Sequence, residues 1–191
     1  MPGAPTQQAN LYWIKSGYAT AIGFGDPVIT QSGGSAGYIG LYANGGTHIL
    51  GFFGGIALPF YNSNNATNPV TAGQMNWNGT EVTNGDVPCL VFDSPQQVFL
   101  MQVNGGPVVQ ADRGLNIDIV VSTPSNGISR ASLDYSNKGT TGTFPLRIVG
   151  IAQTAMYGLD PTNPATFSAP TANNLVEVVL NTSEYRQTTG I

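Results

Sequence analysis

The chain has few charged side chains: aspartate, glutamate, lysine and arginine make up 8% of its 191 residues. An ordinary soluble domain has about 25% and uses that charge to stay dispersed. Six bases against ten acids give a net charge of −4. The bases are scattered, so no basic stripe is available to follow a phosphate backbone, and nucleic-acid binding is not expected. Such a low charge favours a protein that packs against copies of itself or a larger partner.

Cysteine and histidine each occur once, as Cys89 and His48. One cysteine excludes an intrachain disulfide or a thiolate cluster, and one imidazole excludes a histidine-rich metal site. Cys89 lies in an apolar run, which predicts a buried core residue. No nucleophile motif lies near His48, which is therefore predicted to be structural or solvent-facing. No catalytic residue, cofactor or metal is predicted, and the chain is not expected to be an enzyme.

Long hydrophobic runs are absent from the sequence. None approaches the ~20 residues of a membrane helix, so no membrane partner is expected. The first residues lack a basic region followed by an apolar one, so no secretion signal is predicted and synthesis in the cytoplasm is expected. Residues 1–12 are small, polar and proline-containing, which predicts a flexible N-terminal arm.

Glycine and proline are abundant, with 25 and 13 residues, and they separate short runs that are rich in β-branched and aromatic residues. Strands are predicted at 18–24, 28–30, 38–43, 48–60, 115–122, 129–135, 145–152 and 175–181. Roughly eight to ten strands at this spacing predict an all-β fold, and no convincing amphipathic helix is found. The prediction is a single domain over residues 13–191, an antiparallel β-sandwich or barrel of jelly-roll-like type with long polar loops. No repeat of fixed period is visible.

The densest apolar segment is Val87–Val103, where two apolar runs flank Asp93-Ser94-Pro95-Gln96. The turn chemistry of that tetrapeptide predicts a central hairpin with both faces buried. In the strand at 115–122, Ile117 and Ile119 alternate with Asn116 and Asp118. That alternation predicts a half-exposed strand.

Two polar segments, residues 61–86 and 136–143, are predicted to be loops. A loop as long as the first one is usually functional or forms a contact surface. Trp77, in its middle, is either a core residue or an interface anchor, and the sequence does not decide between them.

Several segments together resemble the capsid decoration (cement) proteins of tailed bacteriophages, over roughly residues 20–185. In order, they are Gly25-Asp26-Pro27-Val28, Ile49–Ile56, Val91–Val103, Leu133-Asp134-Tyr135-Ser136, Leu146–Ile151 and Leu175–Asn181. None of them is a catalytic motif, so the resemblance is one of pattern. The polar segments 61–86 and 157–172 are individual to this chain.

The resemblance implies a non-enzymatic β-barrel or jelly-roll-like protein on the outer surface of an icosahedral head. It would bridge subunits of the major capsid protein and contact copies of itself, as a dimer rather than a trimer. We expect the two polar loops and the N-terminal arm to carry these contacts. The candidate capsid-contacting or self-contacting residues are Phe60, Tyr61, Trp77, Tyr12 and Trp13.

Two alternatives stay open at this point. The first is another β-type virion component, such as a head-fibre base, a tail protein or an adaptor. The second is a carbohydrate-binding or hydrolytic jelly roll, because four aspartates lie on or beside strands and a glycosidase needs only two carboxyl groups at a set separation. These aspartates are Asp93, Asp112, Asp118 and Asp134.

Overall fold

The structure is a computed structural model and describes residues 8–57, 74–79, 85–152 and 173–184. These residues form ten strands and two single 3-10 turns, so the predicted all-β class is confirmed. The strands are β1 (Asn10–Ile14), β2 (Pro27–Thr30), β3 (Ile39–Leu41), β4 (Gly51–Ile56), β5 (Val87–Phe92), β6 (Phe99–Asn104), β7 (Asn116–Val120), β8 (Ser132–Gly139), β9 (Leu146–Ile151) and β10 (Leu175–Leu180). The 3-10 turns are Gly33–Ser35 and Gln110–Asp112.

The ten strands are divided equally between two closed barrels. Barrel 1 has the strand order β1-β3-β2-β4-β5, and barrel 2 has the order β6-β8-β7-β9-β10. In each barrel the first strand also pairs with the fifth, which closes the sheet. The pairs β1–β3 and β6–β8, the first and third strands of each barrel in chain order, run parallel. Every other pairing is antiparallel. Closure leaves each sheet with little unpaired edge.

The two barrels also share their strand register. Equivalent pairs are Ile14–Ile39 with Val103–Leu133, Pro27–Phe52 with Asn116–Arg147, and Thr30–Ile39 with Ile119–Leu133. One pair departs from this register: Val28 pairs with Leu41, whereas Ile117 pairs with Lys138, because the β7–β8 ladder has an irregularity between Ile117 and Asp118 that the β2–β3 ladder lacks. The other pairs around the first and second strands keep the same register in both barrels. A one-residue slip would turn every side chain of a strand to the other face, so the shared register also equates the inner and outer faces of the two barrels.

A β-bulge lies at the same place on the fourth strand of each barrel. The bulged residues are Gly54 in β4 and Val149 in β9. In each barrel the next residue is a glycine, and Gly55 has a φ of +99°, which disfavours any residue with a Cβ. Bulges are specific features rather than defects. Barrels 1 and 2 are therefore two copies of one structural unit.

Each barrel has its own apolar core, and the core of barrel 2 extends into barrel 1. The core of barrel 1 consists of Ile14, Ile22, Val28, Ile39, Leu50, Phe53, Ile56, Trp77, Val87, Cys89 and Val91. Buried residues of barrel 2, among them Ile117 and Leu133, pack with Tyr42, Ile49 and Phe52 of barrel 1. The rings of Phe52 and Phe99 lie 4.4 Å apart between their centroids. The barrels are therefore joined by shared apolar packing.

Backbone hydrogen bonds add two further connections between the barrels. The Phe24 amide donates to the Gly127 carbonyl at 2.8 Å, and the Ser129 amide donates to the Phe24 carbonyl at 3.0 Å. After β10 the chain returns to barrel 1, where the Ile49 amide donates to Thr182 at 3.1 Å.

The predicted hairpin over Val87–Val103 is wrong. Its two apolar runs are β5 and β6, which belong to different barrels and do not pair. The polar residues between them form the connection from barrel 1 to barrel 2. The side chain of Asp93, at the start of this connection, is almost fully buried and bonded to β1, so the chain leaves β5 without folding back on it.

Three smaller predictions also need correction. Strand β1 begins at Asn10, so the predicted arm ran three residues too far; residues 1–7 lie outside the described part. The segment 18–24 forms only isolated bridges, at Ile22 and Phe24. Strand β7 is not half-exposed: Asn116 accepts a bond from Arg147, Asp118 accepts one from Tyr42, and both are buried.

Candidate interaction surface

Trp77 lies in the core of barrel 1 and is 1% exposed. Its backbone pairs with Ile22 through two hydrogen bonds of 2.8 Å, and its indole Nε1 donates to the Tyr18 carbonyl at 3.0 Å. Burial and a satisfied N–H are typical of a structural tryptophan. Of the two roles considered for this side chain, the core position is the one that this arrangement supports, and neither face of the ring is available to a partner.

Tyr12 and Trp13 are neighbours on β1 but differ in environment. The Tyr12 hydroxyl donates to Asp93 at 2.6 Å, while Asn10 Nδ2 donates to the same carboxylate at 2.8 Å. Tyr12 therefore helps to fix the start of the inter-barrel connection. Trp13 points outward and is 44% exposed, so it offers the largest accessible surface among the predicted contact residues that the structure describes, which are Tyr12, Trp13 and Trp77.

The structure describes only part of the other predicted contact regions. Phe60 and Tyr61 lie outside the described residues, as does most of the segment 61–86. The segment 136–143 is partly strand rather than loop, because β8 continues to Gly139.

The outer face of barrel 1 is apolar where β1 and β5 pair. Leu11 is 52% exposed and lies opposite Leu90, and Trp13 lies opposite Pro88. Directly opposed side chains on one face of an antiparallel pair have Cβ atoms about 5 Å apart. Leu11 and Trp13 are the exposed members of this apolar face, while Leu90 is half-buried and Pro88 is buried.

A groove of about 440 Å³ lies between the two barrels. Its apolar lining includes Phe24, Phe52, Phe92, Phe99, Leu100 and Met101. Phe92 lies two residues after Leu90 on β5 and thus on the same face. Leu100, on β6, is 55% exposed.

Strand register links Leu11 with Leu90, and the groove lining links Phe92 with Leu100; Leu11, Trp13 and Leu100 are exposed, while Leu90 and Phe92 are half-buried. The apolar surface runs from Trp13 and Leu11 across Leu90 and Phe92 to Leu100, and we call these five residues the junction surface. Large exposed apolar patches on soluble proteins mark sites of interaction.

The positions of Leu11 and Leu100 are equivalent in the two barrels. Leu11 is opposite Leu90 and Leu100 is opposite Glu177. On the other side, Leu90 is opposite Gly55 and Glu177 is opposite Gly150, and each of these glycines directly follows the bulge of its barrel. The same outward position of the first strand is therefore an exposed leucine in both barrels.

In the described part of the chain, His48 and Cys89 are not arranged as a nucleophile and its base. His48 Nδ1 lies 3.5 Å from the Thr47 hydroxyl and Nε2 lies 3.9 Å from Glu184. Both distances exceed the ~2.6–3.2 Å of a nucleophile and its base. Burial raises the pKa of the Cys89 thiol to about 12, so it is protonated at neutral pH, in keeping with the predicted core residue.

The four aspartates considered for hydrolysis have structural partners. Asp93 bonds to β1 and Asp118 to Tyr42, while Asp112 forms an ion pair with Lys138 at 2.6 Å. Asp134 accepts bonds from its neighbours Ser136 and Asn137.

Within the described ranges, no group of three or more acidic, histidine or cysteine side chains is placed to hold a metal ion. The same residues contain no helix of the length and apolarity needed to cross a membrane.

Comparison with known proteins finds no relative: no protein family, no curated protein and no solved structure matches this chain.

Of the junction-surface residues, the contacts predicted from the sequence include Trp13 and do not include Leu11, Phe92 or Leu100. The sequence places Leu11 in the predicted arm, and it places Phe92 and Leu100 in the predicted hairpin with both faces buried. The signal that identifies them is the shared register of the two barrels, which requires the strand pairing to be known.

Proposed function

We propose that this chain is a structural protein of a bacteriophage head, which decorates the outer surface of the shell and stabilises it by bridging subunits of the major capsid protein. The observation that carries the proposal is the junction surface, an exposed apolar area that crosses two copies of one barrel. It adds to the resemblance in sequence pattern, which points to the same function.

The charge distribution supports binding to a protein surface. The five junction-surface residues are apolar, the only charged side chain opposite Leu11 or Leu100 on the paired strands is Glu177, and the whole chain contains only six bases. Nucleic acids and anionic lipids are recognised chiefly through lysine and arginine. An uncharged apolar area instead suits the core of a protein–protein interface, which is depleted in charged residues.

A repeated shell also explains how contacts of modest size could suffice. When one molecule makes two linked contacts, the second forms at a high effective concentration, and the combined affinity exceeds either one alone. In this proposal the chain acts by binding, without a catalytic step, a cofactor or a metal. Residues 1–9, the segment 61–86 and residues 140–143 would add further contacts to the capsid or to a second copy of the chain.

The experiment is a cryo-EM reconstruction of heads from the virus that encodes the chain, with and without its gene. We expect ordered density on the outer lattice that disappears with the gene, and heads that release their DNA at a lower temperature without the protein. Density confined to the portal or tail would contradict decoration and favour a tail or adaptor protein. Absence from the particle, together with specific binding to glycans, would favour the carbohydrate-binding alternative.

A further inference from the structure

The two barrels present the same apolar contact point twice. Seven large apolar side chains are exposed among the described residues, and Leu11 and Leu100 are two of them. They occupy the same register position in their barrels, although the residues around them differ. Barrel 1 adds Trp13, whereas barrel 2 has Gln102 at that position.

Contacts repeated at equivalent positions fit a partner that is itself repeated. A second copy of this chain fits less well. If barrel 1 of one copy bound barrel 2 of the next, the contact would be heterologous and would generate open filaments unless the rotation closed a ring. Two neighbouring copies of one subunit in a lattice offer two equivalent surfaces and end the assembly after one molecule has bound.

The charges near the two leucines also constrain the partner. In the β1–β5 and β6–β10 ladders, the only charged side chain opposite either leucine is Glu177, which faces Leu100. The nearest base along β1 is Lys15, which donates to the Gly34 carbonyl. The matching surface is therefore apolar and free of acidic residues near the Leu100 site.

We propose that the junction surface binds two neighbouring copies of the same capsid subunit, one through Leu11 of barrel 1 and the other through Leu100 of barrel 2. This inference rests on the proposed function and adds the stoichiometry and the contact residues. One chain would then act as a two-point bridge between like subunits.

The test uses the full-length chain and heads purified from a mutant virus that lacks its gene. The variants are Leu11→Ser, Leu100→Ser and the double variant, with Leu→Gln at each position as a second substitution. Val109→Ser is the matched control, since Val109 is exposed but lies outside the junction surface. Occupancy per head is measured against protein concentration, and circular dichroism checks the fold of each variant.

Each single variant converts two-point into one-point attachment. We expect the protein concentration that gives half occupancy to rise about 100-fold for Leu11→Ser and by a similar factor for Leu100→Ser. This is the lower end of the gain in affinity, about 10²–10⁴-fold, that two linked contacts give over one. The double variant should lose saturable binding, and Val109→Ser should bind like the wild type.

The outcomes separate this inference from the proposed function. Wild-type protein that does not bind the heads would overturn both. Wild-type binding with no change in the leucine variants, or a change in only one of them, would overturn the two-point bridge and leave decoration standing. A dimer in sedimentation that both leucine variants dissociate, with unchanged head occupancy, would assign the surface to a second copy of the chain.

Discussion

Replacement of Trp77 by alanine should strongly destabilise barrel 1, because the indole is fully buried among apolar side chains. Truncation of a buried tryptophan to alanine costs about 3–5 kcal/mol, through lost burial and the remaining cavity. Loss of the Nε1 hydrogen bond to the Tyr18 carbonyl is part of that cost and accounts for about 1 kcal/mol. Trp77→Phe retains most of the volume and should cost about 1–2 kcal/mol.

The assay is urea unfolding followed by circular dichroism, with the slope of the transition compared between variants. Trp13→Ala is the matched control, because Trp13 is exposed and its loss should change the free energy of unfolding by less than about 0.5 kcal/mol. A Trp77→Ala protein that unfolds at the wild-type midpoint would refute the core position. If it also lost capsid binding, the interface-anchor alternative would be restored.

Three further predictions concern buried polar groups. Asp93→Ala should lower the free energy of unfolding by about 2–4 kcal/mol, because Asn10 and Tyr12 lose their acceptor; Ser94→Ala is the control in urea unfolding. Cys89 should resist thiol reagents at pH 8 in the folded protein and react at once in urea; rapid labelling without urea would contradict its burial. Burial raises the pKa of Asp26 above its ordinary value of 3.8, so the folded state binds this proton more tightly than the unfolded chain does. The contribution of Asp26 to stability should therefore increase as the pH falls through the raised pKa and be complete below 3.8. Asp26→Asn should remove it, and an unchanged pH profile would contradict this.

The all-β class was predictable from the sequence because turn residues divide the chain into strand-length apolar runs. Strands β2, β3, β7, β9 and β10 lie within or close to the predicted segments for that reason. Cys89 was also placed correctly, since an apolar neighbourhood is sufficient to predict burial.

The partition into two barrels was not predictable, because strand pairing depends on long-range contacts. Asp93-Ser94-Pro95 has the composition of a hairpin turn, yet the Asp93 carboxylate is bonded to β1, far away in the sequence. The repeat is hidden because the equivalent core positions accept different apolar residues, such as Ile14 and Val103, and because the connections differ in length. The exposure of Leu11 and Leu100 was not predictable for the same reason, because it depends on which strands pair.

The division of the chain at Asp93 has a consequence for its synthesis. All five strands of barrel 1 precede this residue, so they can pair on emerging from the ribosome, before the last strands of barrel 2 have left it. Barrel 2 lacks that independence, because its core includes Tyr42, Ile49 and Phe52 of barrel 1. We therefore expect barrel 1 to fold first and barrel 2 to fold against it. The hydrogen bond between Ile49 and Thr182 should form last, because Thr182 follows the last strand.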